Sequence, residues 1–358
     1  MTLTVLHPMR IILLLAPLAI GGLFLPAVAS AQKVSAYRYI AGKDGDYTKA
    51  ARAASRSSMP SRRMALSKAA ARVDLPALTA TDLAKVLQPR VTDEETMGLK
   101  AAGVHRRLSS EAMVPVGRWE SLPDNRWAYR TTLRSPEAAG LRLHFTGFRL
   151  PRNGAGRVWI HDGTGAETQM FGPYLDGGPF GDGEFWSDVI VGDTLVLEYE
   201  SDTPELPFTV AEVSHLLPGT VFAEAEQKAE EAAHGAAASC NLDVTCHPEW
   251  QETAKGVGRY LFERDGGTFT CSGTLLATRN QSNTPYFLSA DHCVNTEAQA
   301  RSVQVFWFYQ TARCNGTAPD PRTLPRTLGA RYLAGLPASR GDASLMQMSG
   351  TLPDGVVF

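Results

Sequence analysis

The stretch YFLSADHCV, Tyr286–Val294, decides how the last third of this chain is read. An aromatic and apolar run of the kind that favours a strand ends in Asp291-His292-Cys293. Upstream, FTCSGTLLA (Phe269–Ala277) reads as a neighbouring strand with Cys271 near its start. A bridge from Cys271 to Cys293 would tie the loop carrying His292 against that strand. General-base catalysis needs an imidazole held at hydrogen-bonding distance, and such a staple limits its drift. Further on, SRGDASLMQM places Asp342 at the head of an alternating apolar segment. A carboxylate there can accept from the histidine Nδ1–H, set its tautomer and stabilise the imidazolium formed during acyl transfer.

Three other readings compete for these residues. His292 and Cys293 could bind zinc with Cys271 or Asp291. Structural zinc sites prefer paired Cys-x-x-Cys spacings, and here the cysteines are scattered, so no metal is expected. His292 could also be a packed histidine at a strand end. Arg340-Gly341-Asp342 spells an adhesion tripeptide, but its aspartate is better used beside His292. His247 and Trp250 read as packing residues.

The whole chain has 358 residues and 44% hydrophobic content, enough for about two domains with real cores. A net charge of -2 gives no overall pull toward nucleic acid or an anionic membrane. Arg10 precedes the nearly unbroken apolar run Ile11–Leu25, and small residues follow at Ala27-Val28-Ala29 or Ala29-Ser30-Ala31. This predicts a secretory signal peptide over residues 1–31 and an extracellular or periplasmic protein with no membrane association after cleavage. Cys240, Cys246, Cys271, Cys293 and Cys314 all lie in the last third. Export makes them a disulfide cluster, and an odd count leaves one without a partner in this chain. Nothing in the composition asks for a cofactor.

Residues 32–111 are Ala-, Ser- and Arg-rich and are expected to be partly helical or disordered. The basic stretch Lys49–Val73 has no interleaved aromatics for base stacking and reads as a solvated segment. Residues 112–217 change character: WAYRTTL, LRLHFTGF, RVWIH, TLVLEYE and FTVAEVS are strand candidates between Gly/Pro-rich turns, which predicts an antiparallel sandwich. In that unit Leu141, Leu143 and Phe145 share one face of a strand, and Arg142 and His144 the other. Trp159, Tyr174 or Trp186 could offer an exposed ring to a sugar. Residues 218–239 are an Ala/Glu-rich linker, where a precursor would be cut. Residues 240–358 form a second β-rich unit with candidate strands GVGRYLFE, FTCSGTLLA, YFLSA, VQVFWFYQ, ARYLAG and DASLMQM. The fold class is therefore all-β.

CSGTLL, YFLSADHC and GDASLMQM in this order resemble the first half of a chymotrypsin-like serine protease. SCNLDVTC after the linker, the VQVFWFYQTARC segment and the long N-terminal region are similar, more narrowly, to bacterial lysyl endopeptidases. The resemblance implies His292 as general base, Asp342 as its orienting carboxylate and Cys271–Cys293 as the staple. It also implies Cys246 joined to Cys314, and a partner for Cys240 that this sequence does not contain. Residues 112–217 would then be a pro-region that packs on its own protease unit, and residues 240–358 the first of two β-barrels, the second missing. If a lysine-preferring protease removes the pro-region, Lys228 is the candidate cut site.

The departure from the family pattern is the nucleophile. No Gly-Asp-Ser-Gly-Gly-like turn follows Asp342. Ser344 lies two residues from Asp342 on the same strand and has no obvious approach to His292. Loss of the serine costs on the order of a million-fold in a comparable triad. Two functions follow as expectations. One is a fragment of a secreted serine endopeptidase precursor acting on proteins or peptides and inactive alone. The other is a non-catalytic secreted binding protein built on a sandwich and half a protease barrel.

Overall fold

The computed structural model describes residues 58–64, 66, 71–87, 99–108, 117–151, 154–220 and 242–358. The signal peptide expected over 1–31, most of the basic stretch, nearly all of the expected linker, Lys228 and Cys240 lie outside them. No helix among the described residues is long and apolar enough to cross a membrane.

The described chain is mostly β-sheet. Its N-terminal region holds β1 (Ala71–Asp74), β2 (Lys100–Arg107), β3 (Arg118–Ser121), β4 (Trp127–Arg134), β5 (Gly140–Thr146) and β6 (Arg157–His161). These are followed by β7 (Met170–Tyr174), β8 (Phe185–Trp186), β9 (Ile190–Val191), β10 (Thr194–Ser201) and β11 (Thr209–Leu216). The short helices α1 (Pro60–Arg63) and α2 (Ala80–Leu87) precede β2. The C-terminal region holds α3 (Gln251–Ala254), β12 (Val257–Arg264), β13 (Gly267–Leu275), β14 (Tyr286–Ser289), α4 (Glu297–Ser302) and β15 (Gln304–Trp307). It ends with β16 (Arg326–Leu328), β17 (Ala330–Leu336) and β18 (Ala343–Met348).

Two sheets share the N-terminal core. One runs β1-β4-β10-β6-β7 with β3 on β4, and the other includes β2, β11, β5, β8 and β9. Leu133 of β4, Ile160 of β6 and Leu197 and Tyr199 of β10 meet Leu143 and Phe145 of β5 and Val213 of β11 in one buried cluster. The pairing is not wholly antiparallel, because β1 lies parallel to β4. Strand alternation explains β5, whose Leu141, Leu143 and Phe145 enter this core. Trp159, Tyr174 and Trp186 are 0%, 7% and 8% exposed, so none presents an open ring. Trp186 is covered because His144 stacks on it, with centroids 4.7 Å apart. Trp250, by contrast, is 57% exposed and does not serve the core.

The C-terminal core collects Tyr260 and Phe262 of β12, Phe269 of β13, Phe287 of β14, Trp307 of β15 and Met346 of β18. Burying a side chain such as Phe287 contributes roughly 1.5–3 kcal/mol relative to leaving it in water. The strand path is β16-β15-β12-β13-β14-β18-β17, with no ladder closing it into a barrel among the described residues. It begins and ends on one segment, 326–336, which bends at Gly329 with φ 78°.

The boundary expected between a pro-region and a second unit is crossed by the sheet. Strand β2, from the segment expected to be helical or disordered, pairs with β13 on one side and β11 on the other. Its sequence, KAAGVHRR, is weak in strand formers, so pairing on both edges rather than propensity makes it a strand.

Close packing also restricts Gly273 of β13. A Cβ there would lie 2.3 Å from Phe287 Cε1 and 2.7 Å from the Leu288 carbonyl oxygen. We expect Gly273→Ala to destabilise the chain by about 1–3 kcal/mol. Urea unfolding should show this as a lower midpoint with an unchanged slope.

Candidate active site

Strand β14 ends at Ser289, and the chain turns at once. The Ala290 carbonyl accepts from the Cys293 and Val294 amides at 3.2 and 3.3 Å. Cys293 and Val294 are buried, which pins the turn to the C-terminal core and leaves His292 at its rim. Cys293 is joined to Cys271 on β13, with a Cα–Cα distance of 6.5 Å. Arg264, at the end of β12, donates from Nη1 to the His292 carbonyl at 3.1 Å. Just downstream, Thr296 and Gln299 form a capping box that fixes the start of α4.

Asp342 comes to the same place at the head of β18, the strand paired with β14. The Pro337 carbonyl accepts from the Arg340 amide at 2.7 Å and the Asp342 amide at 3.2 Å. This tight turn puts Asp342 at φ 47°, a left-handed conformation that aspartate adopts more readily than most residues. The carboxylate then grips His292 twice. Oδ1 accepts from the His292 backbone N–H at 2.9 Å, and Oδ2 lies 2.6 Å from Nδ1. An ionised carboxylate can only accept, so Nδ1 carries the hydrogen, and in the neutral ring Nε2 is the acceptor. The His292 side chain is 24% exposed, enough to be approached. Partial burial alone would raise the Asp342 pKa. The hydrogen bonds from the His292 backbone and ring outweigh it and hold the carboxyl below its usual value.

The other sequence-derived residues fall into place around this pair. Cys271, His292 and Cys293 offer ligand atoms within 4.8 Å of one another, but both sulfurs are spent in the disulfide. A zinc site would need them as thiolates. Ser344 is fully buried, its Oγ lacks a protein hydrogen-bond partner, and no hydrogen bond joins it to His292 among the described residues. The Arg340–Asp342 tripeptide has its carboxylate committed to His292. Cys246 is joined to Cys314. Asp243 braces the same region by accepting from Thr311 Oγ1 and the Asn315 amide, both at 2.8 Å.

Sequence reasoning passed over Arg264 and Asp243. Arg264 had no signal beyond its place at a strand end. Asp243 sits two residues before Thr245, an Asx-turn pattern that could have been noticed.

Residues 234–358 match the family model described as the lysyl endopeptidase C-terminal domain. The chain is also 30% identical over 263 residues to a lysyl endopeptidase of Pseudomonas aeruginosa, an alignment covering 67% of this chain and 53% of that protein. The chain thus spans about half the length of this relative. The alignment is longer than the matched domain, so the likeness reaches into the N-terminal strands. Over residues 234–358, then, the chain is similar to the C-terminal domain of lysyl endopeptidases.

Proposed function

We propose that this chain is part of a secreted serine endopeptidase precursor of the lysyl endopeptidase type. His292 is its general base and Asp342 the carboxylate that orients it. The observation that carries this reading is the double grip of Asp342 on His292, with Nδ1 at 2.6 Å and the backbone amide at 2.9 Å. It fixes the ring's position and tautomer together, as a base that must take a hydroxyl proton through Nε2 requires. The nucleophilic serine is assigned to no described residue, so this chain alone is inactive. Residues 112–217 act as a sandwich pro-region, and residues 240–358 as the first barrel, its strand circuit returning to the segment 326–336. Cleavage after lysine, with Lys228 as processing site, is proposed from the likeness to lysyl endopeptidases.

The coding sequence after Phe358 tests the reading. A serine in a Gly-rich turn followed by a further cysteine would complete the triad and give Cys240 its partner. A stop codon directly after Phe358 would sink the enzyme reading and leave a binding protein.

In a protein completed by that serine, His292→Ala should lower kcat on the order of a million-fold. Asp342→Asn should lower it about ten-thousand-fold by removing the acceptor that sets the tautomer. Hydrolysis of lysyl amides measures both. Equal activity of Asp342→Asn and the parent would remove Asp342 from the mechanism.

The present chain can be tested by titration. The folded Asp342 pKa is depressed from 3.8, so its contribution is present above that value and lost as pH falls through the folded value. A carboxyl-carbon NMR titration should place its midpoint below 3.8, with the His292 ring signals moving together with it.

A further inference from the structure

Charged side chains are also buried far from any expected site, where the N-terminal strands meet β12 and β13. Glu263 of β12 is the centre. Its carboxylate accepts from Arg142 Nη1 of β5 at 2.8 Å and from Thr268 Oγ1 at 2.6 Å, and lies 2.7 Å from His105 Nε2 of β2. Arg142 is fully buried and also donates to the Ser302 and Ser187 carbonyls, both at 2.9 Å. The other ring nitrogen of His105 lies 3.4 Å from Glu212 of β11. One acid of the C-terminal region therefore has both its countercharges on the N-terminal region.

The pattern repeats around it. Gln304 of β15 accepts from the Val189 amide at 2.9 Å and donates to Asp188 at 2.6 Å. Arg326 of β16 donates to the Val189 carbonyl, and Ser214 of β11 meets Thr268 at 2.5 Å. Apolar contact comes from Ala102, Val189 and Leu216 against Leu261 and Phe306. The β2–β13 ladder adds main-chain bonds along the seam. A surface with so many internally matched polar groups is built to be covered by one specific partner.

We propose that the face of β12 and β13 around Glu263 is a docking surface for residues 99–220 of this chain. It holds them as a non-covalent subunit after the connection through 221–241 is cut, and His105 gates the hold, which is firm while the ring is protonated and weak when it is neutral. Only the supposition that the connection is cut rests on the precursor reading.

The direction of the gate follows from the groups facing His105. Burial alone would lower its pKa, but hydrogen bonds to Glu212 and Glu263 and their charges outweigh it and raise it to about 9. In the separated N-terminal piece the ring keeps Glu212 and loses Glu263, so its pKa falls on release, and the docking contribution is lost as pH rises through about 9. Glu212 and Glu263 are held below the usual carboxylate range and keep their charge throughout that window. His144 of β5, facing Glu184, Glu212 and His105, is pushed down by burial and stays neutral there. Alkali is therefore the releasing direction.

The test inserts a recognition sequence for a site-specific protease between residues 225 and 239 of the full chain. After cutting, the association of the two pieces is followed by size-exclusion with light scattering and by titration calorimetry from pH 6.5 to 10. We expect the pieces to co-elute at pH 7 and the dissociation constant to rise several-fold by pH 10, less than the full move from 6.5 to about 9 would give because Glu212 stays with His105 in the separated piece. His105→Gln, neutral at every pH, should associate at pH 7 about as weakly as the parent does at pH 10 and lose most of this dependence. Should that variant not fold, Glu212→Gln, which removes one of the two acids at the ring, should move the midpoint to lower pH. Pieces that separate at pH 7 overturn the docking surface. A slope unchanged in His105→Gln, or a midpoint unmoved in Glu212→Gln, overturns the gate. Association rather than peptide cleavage is measured, so failure of the enzyme reading would leave the result intact.

Discussion

Strand β13 bonds to three partners. β12 runs along its whole length, β2 takes Gly267–Thr270, and β14 takes Thr274 and Leu275. Cys271 sits between the last two contacts and is tied to Cys293. The same strand thus carries the N-terminal region near its start and the His292 turn near its end. Remove β13, and neither the seam around Glu263 nor the turn that presents His292 has a support.

β12 links the two places more closely. Side chains of successive strand residues point to opposite faces. Glu263 faces the N-terminal strands and takes their arginine and histidine. Arg264, one residue on, sends Nη1 to the His292 carbonyl. The buried junction and the candidate base are therefore separated by one residue of backbone. Low local dielectric makes the junction rigid when fully satisfied and costly when not, so the strand between them has little freedom while the N-terminal region is in place.

Much of this was legible in the sequence because it is local. Alternation or β-rich composition placed β4, β5, β6, β10 and β11, and β12 to β15 also fall on segments that read as strands. The segment around Asp342 read as a strand head because Ser344, Met346 and Met348 alternate inward from it. What could not be read was partnership across distance. Arg142 alternates away from the core of its own sheet, as a solvent-facing residue would, yet is fully buried because β12 covers that face. His105 and Glu263 are separated by 158 positions, and neither has a neighbour in the chain that hints at the other. Strand β2 was missed for a related reason: its residues lack strand propensity, and the two edges it joins are far away in sequence. The three aromatic rings suggested for a sugar were misjudged because a single sequence does not say which face of a sheet receives a second layer.

The candidate site shows the same division between local and distant causes, with the opposite outcome. Asp342 and His292 are fifty positions apart, yet their pairing could be anticipated because each stands where a strand meets a turn. The turn at Asp342 demands a left-handed backbone, and the turn at His292 is held down by a buried cysteine and valine. Each constraint is satisfied within a few residues of chain, and the antiparallel pairing of β14 with β18, Ser289 opposite Ser344, brings the two strand ends together. The long-range elements are the Cys271–Cys293 bridge and the strand register, and burying Phe287 and Met346 sets the register, since a one-residue slip would turn both side chains out of the core. A pair positioned this way needs no contact from the N-terminal region to hold its geometry. The charged seam, by contrast, exists only while both regions are together. His292 and Asp342 therefore belong to the C-terminal fold itself, while whatever the N-terminal region controls must act through β12 and β13.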